Sequence, residues 1–342
     1  MTDELKLGTR GSQLALWQAN AVAARIAETG GRRCRVVVIR TAGDRLQDAP
    51  LSEAGGKRLF VKEIEDALLR GDIDLAVHSS KDMPVVLPEG LAIGAVLPRE
   101  DPHDAVVLPA IDGSADSIAT VDDLVARLGQ EPRIGTSSVR RIAQLTRLLP
   151  GARFEPIRGN LDTRLRKLDD GGYDAIVLAA AGLRRLGFAD RISMLLPADA
   201  CVPAPGQGIV AVEIRTDDDA TREVVARMTD PAAAAALDAE RAVIEVLGGG
   251  CQTPVGALAT VASRESQVAS HESRTELSVI AVVVALDGSR AVRAHATGEA
   301  GNARLIGKAV GAQLLTEGAG EILEAAEQAR ATGAVQPPVS SE

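Results

Sequence analysis

Hydrophobic and polar positions in the first half of the chain fall into two alternating rhythms. Residues 5–10 read as a strand. Ser12 is placed to cap a helix running to about residue 29, with Leu16, Ala19, Ala23 and Ile26 on one face. Residues 35–40 form a β-branched run, the pattern of a buried strand. The polar stretch 43–58, with Pro50, Gly55 and Gly56, reads as a loop, followed by a helix at 60–69 and a strand at 73–77. This order predicts a mostly parallel sheet covered by helices. A second unit repeats it after the proline-bounded junction 98–102. Its strands fall at 105–108, 133–135, 154–157 and 173–178, and its helices at 121–128, 138–148 and 161–168. The segment 197–208, with Pro203, Pro205, Gly206 and Gly208, reads as a crossover or hinge, and 209–214 is again strand-like.

The last third changes character. Residues 232–247 are an Ala-rich helix pattern, 255–261, 277–286 and 291–296 read as an antiparallel sheet, and 304–315 and 321–329 are helical. The pattern predicts a small α+β domain. Residues 263–275 are polar and predict an exposed hairpin loop, and 332–342 are expected to be disordered.

The 342 residues suffice for two or three domains, each with its own core. The formal charge of −9, taken globally, argues against nucleic acid or a membrane surface as partner. Three Phe, one Trp and one Tyr leave few platforms on which bases could stack. Cys34, Cys201 and Cys251 are odd in number and widely spaced, which predicts no disulfide framework and a cytoplasmic address. The N-terminus lacks the basic-then-apolar order of a signal peptide. The most apolar run, 277–286, is shorter than the ~20 residues a membrane span needs. His78, His103, His271 and His295 show no metal-ligand spacing, so no metal is expected.

Chemistry concentrates where strands end. In His78-Ser79-Ser80-Lys81-Asp82-Met83-Pro84 a buried strand gives way at once to polar groups, the place where open α/β sheets bind ligands. Pro84 biases Met83 to an extended shape and so fixes how Lys81 and Asp82 are presented. Taken alone, the segment reads rather as an exposed turn with a weak ion pair. In Gly135-Thr136-Ser137-Ser138-Val139-Arg140-Arg141, hydroxyls and backbone N–H groups at a helix start suit an anion. Two arginines in a first turn oppose the helix dipole unless an anion sits between them; solvated surface arginines are the alternative. Arg158-Gly159-Asn160, with Arg164 in the following helix, repeats the arrangement, with Asn160 as candidate cap. Arg10 and Arg185 lie at equivalent edges. Several arginines at one edge of two α/β units suggest a cleft for a ligand with several carboxylates, which guanidinium forks grip bidentately. Gly248-Gly249-Gly250-Cys251 puts a cysteine on a permissive loop, either as a reactive group or as a small buried hydrophobe. Gly55-Gly56-Lys57 lacks the full phosphate-loop pattern and reads instead as part of a lid.

Taken in order, these segments resemble the porphobilinogen deaminase (hydroxymethylbilane synthase) family. The resemblance also rests on Thr9-Arg10-Gly11-Ser12-Gln13-Leu14-Ala15-Leu16-Trp17-Gln18, Gly56-Lys57-Arg58-Leu59-Phe60-Val61-Lys62-Glu63, Pro203-Ala204-Pro205-Gly206-Gln207-Gly208 and Gly249-Gly250-Cys251-Gln252. It implies an α/β fold: two lobes like those of periplasmic binding proteins and a smaller α+β C-terminal domain. The implied limits are 1–101 with a return segment 207–222, then 102–206, then 223–342. It implies a dipyrromethane cofactor held through a thioether at Cys251, onto which four porphobilinogens are joined head to tail with loss of ammonia, ending in a linear tetrapyrrole. Loss of ammonia leaves a cationic azafulvene. Asp82 matches the family's catalytic aspartate, suited to developing positive charge and to pyrrole protons. Arg10, Lys81, Arg140, Arg141, Arg158, Arg164 and Arg185 match positions that hold ligand carboxylates. Ser12, Ser79, Thr136 and Ser138 match assisting hydroxyls. Lys57 falls in the loop motif and Gln207 in the hinge motif. Glu53 stands where a second lysine is common, and Arg58 where a glycine is, which bears on the loop's contacts and not on the reaction. Ser80 and Met83 replace residues that are commonly Met and Val. The family further implies a monomer.

The competing reading is a two-lobed receptor that closes on a small anion without chemistry. Cys251, Asp82 and the N-terminal pattern speak against it.

Overall fold

The computed structural model describes residues 4–41, 61–110, 117–248, 253–264 and 274–332. Lys57, Glu53, Arg58, Cys251, the expected 43–58 lid and the expected disordered tail from 333 onward lie outside the described residues.

The first lobe is built from Glu4–Thr9 (β1), Gln13–Glu28 (α1), Arg33–Val38 (β2), Lys62–Leu69 (α2), Leu75–Ser79 (β3) and Leu91–Val96 (β4). The second contains Asp104–Val107 (β5), Val121–Leu128 (α3), Arg133–Gly135 (β6), Val139–Leu148 (α4), Arg153–Glu155 (β7), Leu161–Lys167 (α5), Ala175–Ala179 (β8), Ala180–Arg185 (α6) and Met194–Leu195 (β9). The chain then returns as Val210–Arg215 (β10), which completes a first sheet of order β2-β1-β3-β10-β4; the second sheet runs β7-β6-β8-β5-β9. Each sheet is mixed and not simply parallel. β10 is antiparallel to β3 and β4, and β5 is antiparallel to β8 and β9. The reason is the path of the chain. It crosses between lobes at 97–103 and again at 196–209, and the strand after each crossing starts at the hinge and runs against its neighbours.

Ser12 caps α1 as its position predicts, its Oγ accepting the Ala15 N–H at 3.3 Å. Ala19, Val22 and Ile26 bury against Leu7, Val77 and Val212. The helix face read from the sequence is therefore real, although Ala23 is only partly buried. β2 corrects one expectation. Its β-branched run predicts a buried strand, but it pairs only with β1 among the described strands, and Arg33, Arg35 and Val38 are exposed. An edge strand keeps one flank unpaired, so hydrophobic composition alone does not bury it.

Asp219–Ala226 (α7) packs with the first lobe. Val225 and the following Met228 join its core, past the expected limit at 222. The third unit contains Pro231–Leu247 (α8), Val255–Arg264 (β11), Arg274–Val284 (β12), Ala291–Glu299 (β13), Ala303–Thr316 (α9) and Ala319–Ala331 (α10). Its sheet, β11-β12-β13, is antiparallel, and β11 pairs with β12 out to Arg264 and Arg274, inside the expected hairpin loop. Val243, Val279, Val283, Val310 and Leu314 fill the space between this sheet and the helices.

Glu240 of α8, fully buried, fastens this unit to both crossings. It accepts from Arg99 Nη1 (2.6 Å) and the Gly206 N–H (2.6 Å), while Arg99 Nε donates to the Gln207 carbonyl (2.9 Å). Among the described residues no helix is long and apolar enough to cross a membrane.

Candidate active site

β3 ends at Ser79, and one 3₁₀ turn, Ser80–Asp82, follows. Met83 is extended (φ −79°, ψ 146°), as a residue before proline should be. Its side chain is buried with Val96, Ile209 and Leu237, which holds the turn from beneath. Asp82 is thereby carried exposed at the sheet's C-terminal edge. The second crossing lies directly against the turn: a Cβ on Gly206 would stand 2.6 Å from Ser80 Oγ, and its φ of 72° also favours glycine.

Asp82 shares a recess of about 70 Å³ with Arg10, Ser12, Gln18, His78 and Ser79. Gln18, buried on α1, donates from Nε2 to Ser79 Oγ at 2.8 Å. The volume is below the roughly 300 Å³ of a small-molecule pocket, so the recess accounts for one end of a site.

The second lobe answers with positive charge. Ser138 caps α4, its Oγ accepting the Arg141 N–H (3.5 Å), and Thr136 Oγ1 accepts the Ser138 N–H (3.3 Å). The anion that two first-turn arginines require is the chain's own Asp104. Arg140 donates from Nη1 to Oδ2 (2.6 Å) and from Nη2 to Oδ1 (3.2 Å). Arg141 donates to Oδ1 from Nη2 (2.7 Å) and Nε (3.0 Å). Both guanidiniums also reach backbone carbonyls, Val202 for Arg140 (2.8 Å) and Val177 for Arg141 (2.7 Å). This revises the picture of two arginines free to grip a ligand. Their forks are committed to protein, they are buried, and Arg140 Nε alone is left without a hydrogen-bond partner. Burial by itself raises the Asp104 pKa, but Arg140 and Arg141 override it and hold the carboxyl far below the usual carboxylate range.

Gln207 links this cluster to the turn. Its Nε2 donates to Asp104 Oδ1 (2.9 Å) and to the Pro102 carbonyl (2.7 Å), and its Oε1 accepts from Lys81 Nζ (3.4 Å). Lys81 keeps some exposure, yet loss of solvation pushes its pKa down to about 8. Asp82 and Asp104 oppose that shift, and Arg141 and Arg140 add to it. Arg164 donates from Nε to the Gly159 carbonyl (2.9 Å). Burial, Arg141 and Arg158 push its pKa down to about 10, with Asp82 and Tyr173 opposing. Lys81 of the first lobe and Arg164 of the second thus both feel Asp82 and Arg141. Asn160 stands at the α5 cap without a side-chain cap bond. Arg185 Nη2 donates to the Gly208 carbonyl (2.7 Å).

A family model described as porphobilinogen deaminase, dipyrromethane cofactor binding domain, matches residues 5–223. A second, the porphobilinogen deaminase C-terminal domain, matches residues 234–316. The chain belongs to the porphobilinogen deaminase family. The porphobilinogen deaminase of Syntrophobacter fumaroxidans is 46% identical over 95% of this chain and 98% of its own length. That of Moorella thermoacetica is 44% identical over 94% of this chain and 96% of its own. Among solved structures the chain is similar to the Bordetella pertussis BvgS periplasmic VFT2 domain, at 16% identity and a TM-score of 0.38, over 66% of this chain and 86% of that one.

Of the porphobilinogen deaminase motifs, Arg10, Ser12, His78, Ser79 and Asp82 line the recess, and Gln207 bonds Lys81 and Asp104 beside it. Sequence reasoning missed Asp104 and Gln18. Asp104 immediately precedes the apolar run Ala105-Val106-Val107-Leu108, and an acid at the mouth of a buried strand is a signal for a buried partner. Gln18 interrupts the apolar face of α1 between Ala15 and Val22, and a lone polar residue there marks a buried hydrogen bond.

Proposed function

We propose that this chain condenses porphobilinogen stepwise on a dipyrromethane held by a thioether at Cys251, releasing ammonia at each step and finally a linear tetrapyrrole. The observation that carries the reading is the charge arrangement. Asp82, an exposed carboxylate, lies within electrostatic reach of Lys81 and Arg164, whose pKa values burial lowers first and neighbouring guanidiniums lower further. That arrangement fits the cofactor's several carboxylates, because an anion placed among such cations relieves their mutual repulsion. When bound, the dipyrromethane would supply the free pyrrole α-carbon to which the first unit is joined.

The residues around it divide the work. Lys81, Arg158, Arg164, Arg185 and Arg10 attract the acetate and propionate groups. Arg140 and Arg141 contribute charge from behind Asp104. Asp82 stabilises positive charge that develops as the substrate's amine leaves and accepts the pyrrole proton. Ser12, Ser79, Thr136 and Ser138 fix the backbone N–H groups and side chains at the edges of the cleft, and Lys57 adds a further cation for the ligand's carboxylates. Gln207 ties Lys81 to the hinge. The chain acts as a monomer in the cytoplasm, where the free thiols Cys34 and Cys201 suit a reducing compartment.

Ammonia release from porphobilinogen tests the proposal. Stoichiometric release with a linear tetrapyrrole as product is expected, and saturable binding of porphobilinogen without release would favour the non-catalytic receptor.

A further inference from the structure

Trp17, the only tryptophan in the chain, is 40% exposed on α1 of the first lobe. The face of an exposed indole can take a cation. It has one in the other lobe, for the Arg185 guanidinium carbon lies 5.4 Å from the ring centroid, inside cation–π range. The contact is not a grazing one. A Cβ on Gly182, one turn before Arg185 on α6, would meet Leu14 of α1 at 3.7 Å, so the two helices approach closely along the same line. Leu14 also lines the recess that holds Asp82. Among the described residues Arg185 makes one hydrogen bond, to the Gly208 carbonyl of the second crossing. Its neighbour Arg184 faces elsewhere, pairing with Asp101 (2.9 Å) and Glu100 (3.8 Å).

We infer that Trp17 is a positioning residue for substrate binding. Its ring and the Gly208 carbonyl together hold the Arg185 guanidinium across the lobe boundary, so that the remaining N–H donors meet a ligand carboxylate already oriented. This rests on the reading of Arg185 as a carboxylate-binding residue. Fixing a long, rotamer-rich side chain before the ligand arrives removes part of the ordering cost of binding.

The test uses the cofactor-loaded enzyme. Trp17→Leu should raise KM for porphobilinogen by about two- to fivefold, the worth of an exposed cation–π contact, with kcat little changed. Trp17→Phe, which keeps a π face, should recover most of that. In the Trp17→Leu/Arg185→Leu double variant KM should be no worse than in Arg185→Leu alone. Independently of activity, Arg185→Leu should shift the emission of the single tryptophan, and Arg184→Leu should not. Equal effects of Leu and Phe at 17, multiplicative effects in the double variant, or equal emission shifts from the two arginine variants would overturn the inference. An unchanged KM in Arg185→Leu would instead remove Arg185 from the binding site, a separate failure.

Discussion

Replacing Asp104 by asparagine should destabilise the protein more than any other isosteric change at the cleft. Asp104 is completely buried and accepts from two guanidiniums that are themselves 5% and 7% exposed. The side chain of asparagine has the same shape, but its amide would turn N–H groups toward Arg140 or Arg141 and leave two buried cations without an anion. Breaking a buried pair from one side costs about 3–5 kcal/mol, a large fraction of a typical domain's stability of about 5–15 kcal/mol. Urea unfolding followed by far-UV circular dichroism measures it as a drop in midpoint. Arg140→Met in the Asp104→Asn background should recover part of the loss, because it removes one of the stranded charges. The same pair sets an acid limit. The folded-state pKa of Asp104 is lowered, so the unfolded chain binds the proton more readily. Its full contribution is present above the ordinary carboxylate pKa of about 4 and is lost progressively as pH falls below it. A loss under about 1 kcal/mol in Asp104→Asn, or an acid limb unchanged by the substitution, would refute the view that this carboxylate anchors the arginine pair.

Asp82 calls for the opposite outcome, since it is exposed at the tip of its turn. Asp82→Asn should leave the urea midpoint in place while turnover falls by roughly 10²–10⁴, the range of an acid–base group; near-normal turnover would remove its assigned role. Lys81, with its pKa lowered to about 8, is cationic below that pH and neutral above it. KM for porphobilinogen should therefore rise as pH passes through about 8, and Lys81→Arg, which keeps its charge, should flatten that limb relative to the parent enzyme. Asp230 caps α8, its Oδ1 accepting the Ala233 N–H at 2.7 Å. Asp230→Ala should cost about 1 kcal/mol in urea unfolding with kinetics intact, which separates helix stability from the site.

Much of this architecture is legible because its signals are local. Ser12 and Ser138 sit where helices start, Pro84 dictates Met83, and Pro203, Pro205 and Gly206 mark the second crossing. What escapes local reading is set by partners far along the chain. The Asp104–Arg140 and Arg99–Glu240 pairs join segments 36 and 141 residues apart, and nothing in the spacing of either names its partner. The burial of β2 fails for the same reason, because a strand's neighbours are fixed by the whole sheet and not by its own composition. The sequence also predicts free arginines and does not reveal that an internal carboxylate already occupies the space between two of them.

Intact-mass spectrometry of the freshly purified protein tests the cofactor, its stoichiometry and its attachment together. The expected result is a single species heavier than the sequence by one dipyrromethane, with Cys251→Ser returning to the unmodified mass and losing turnover. Active protein at the unmodified sequence mass would contradict the account.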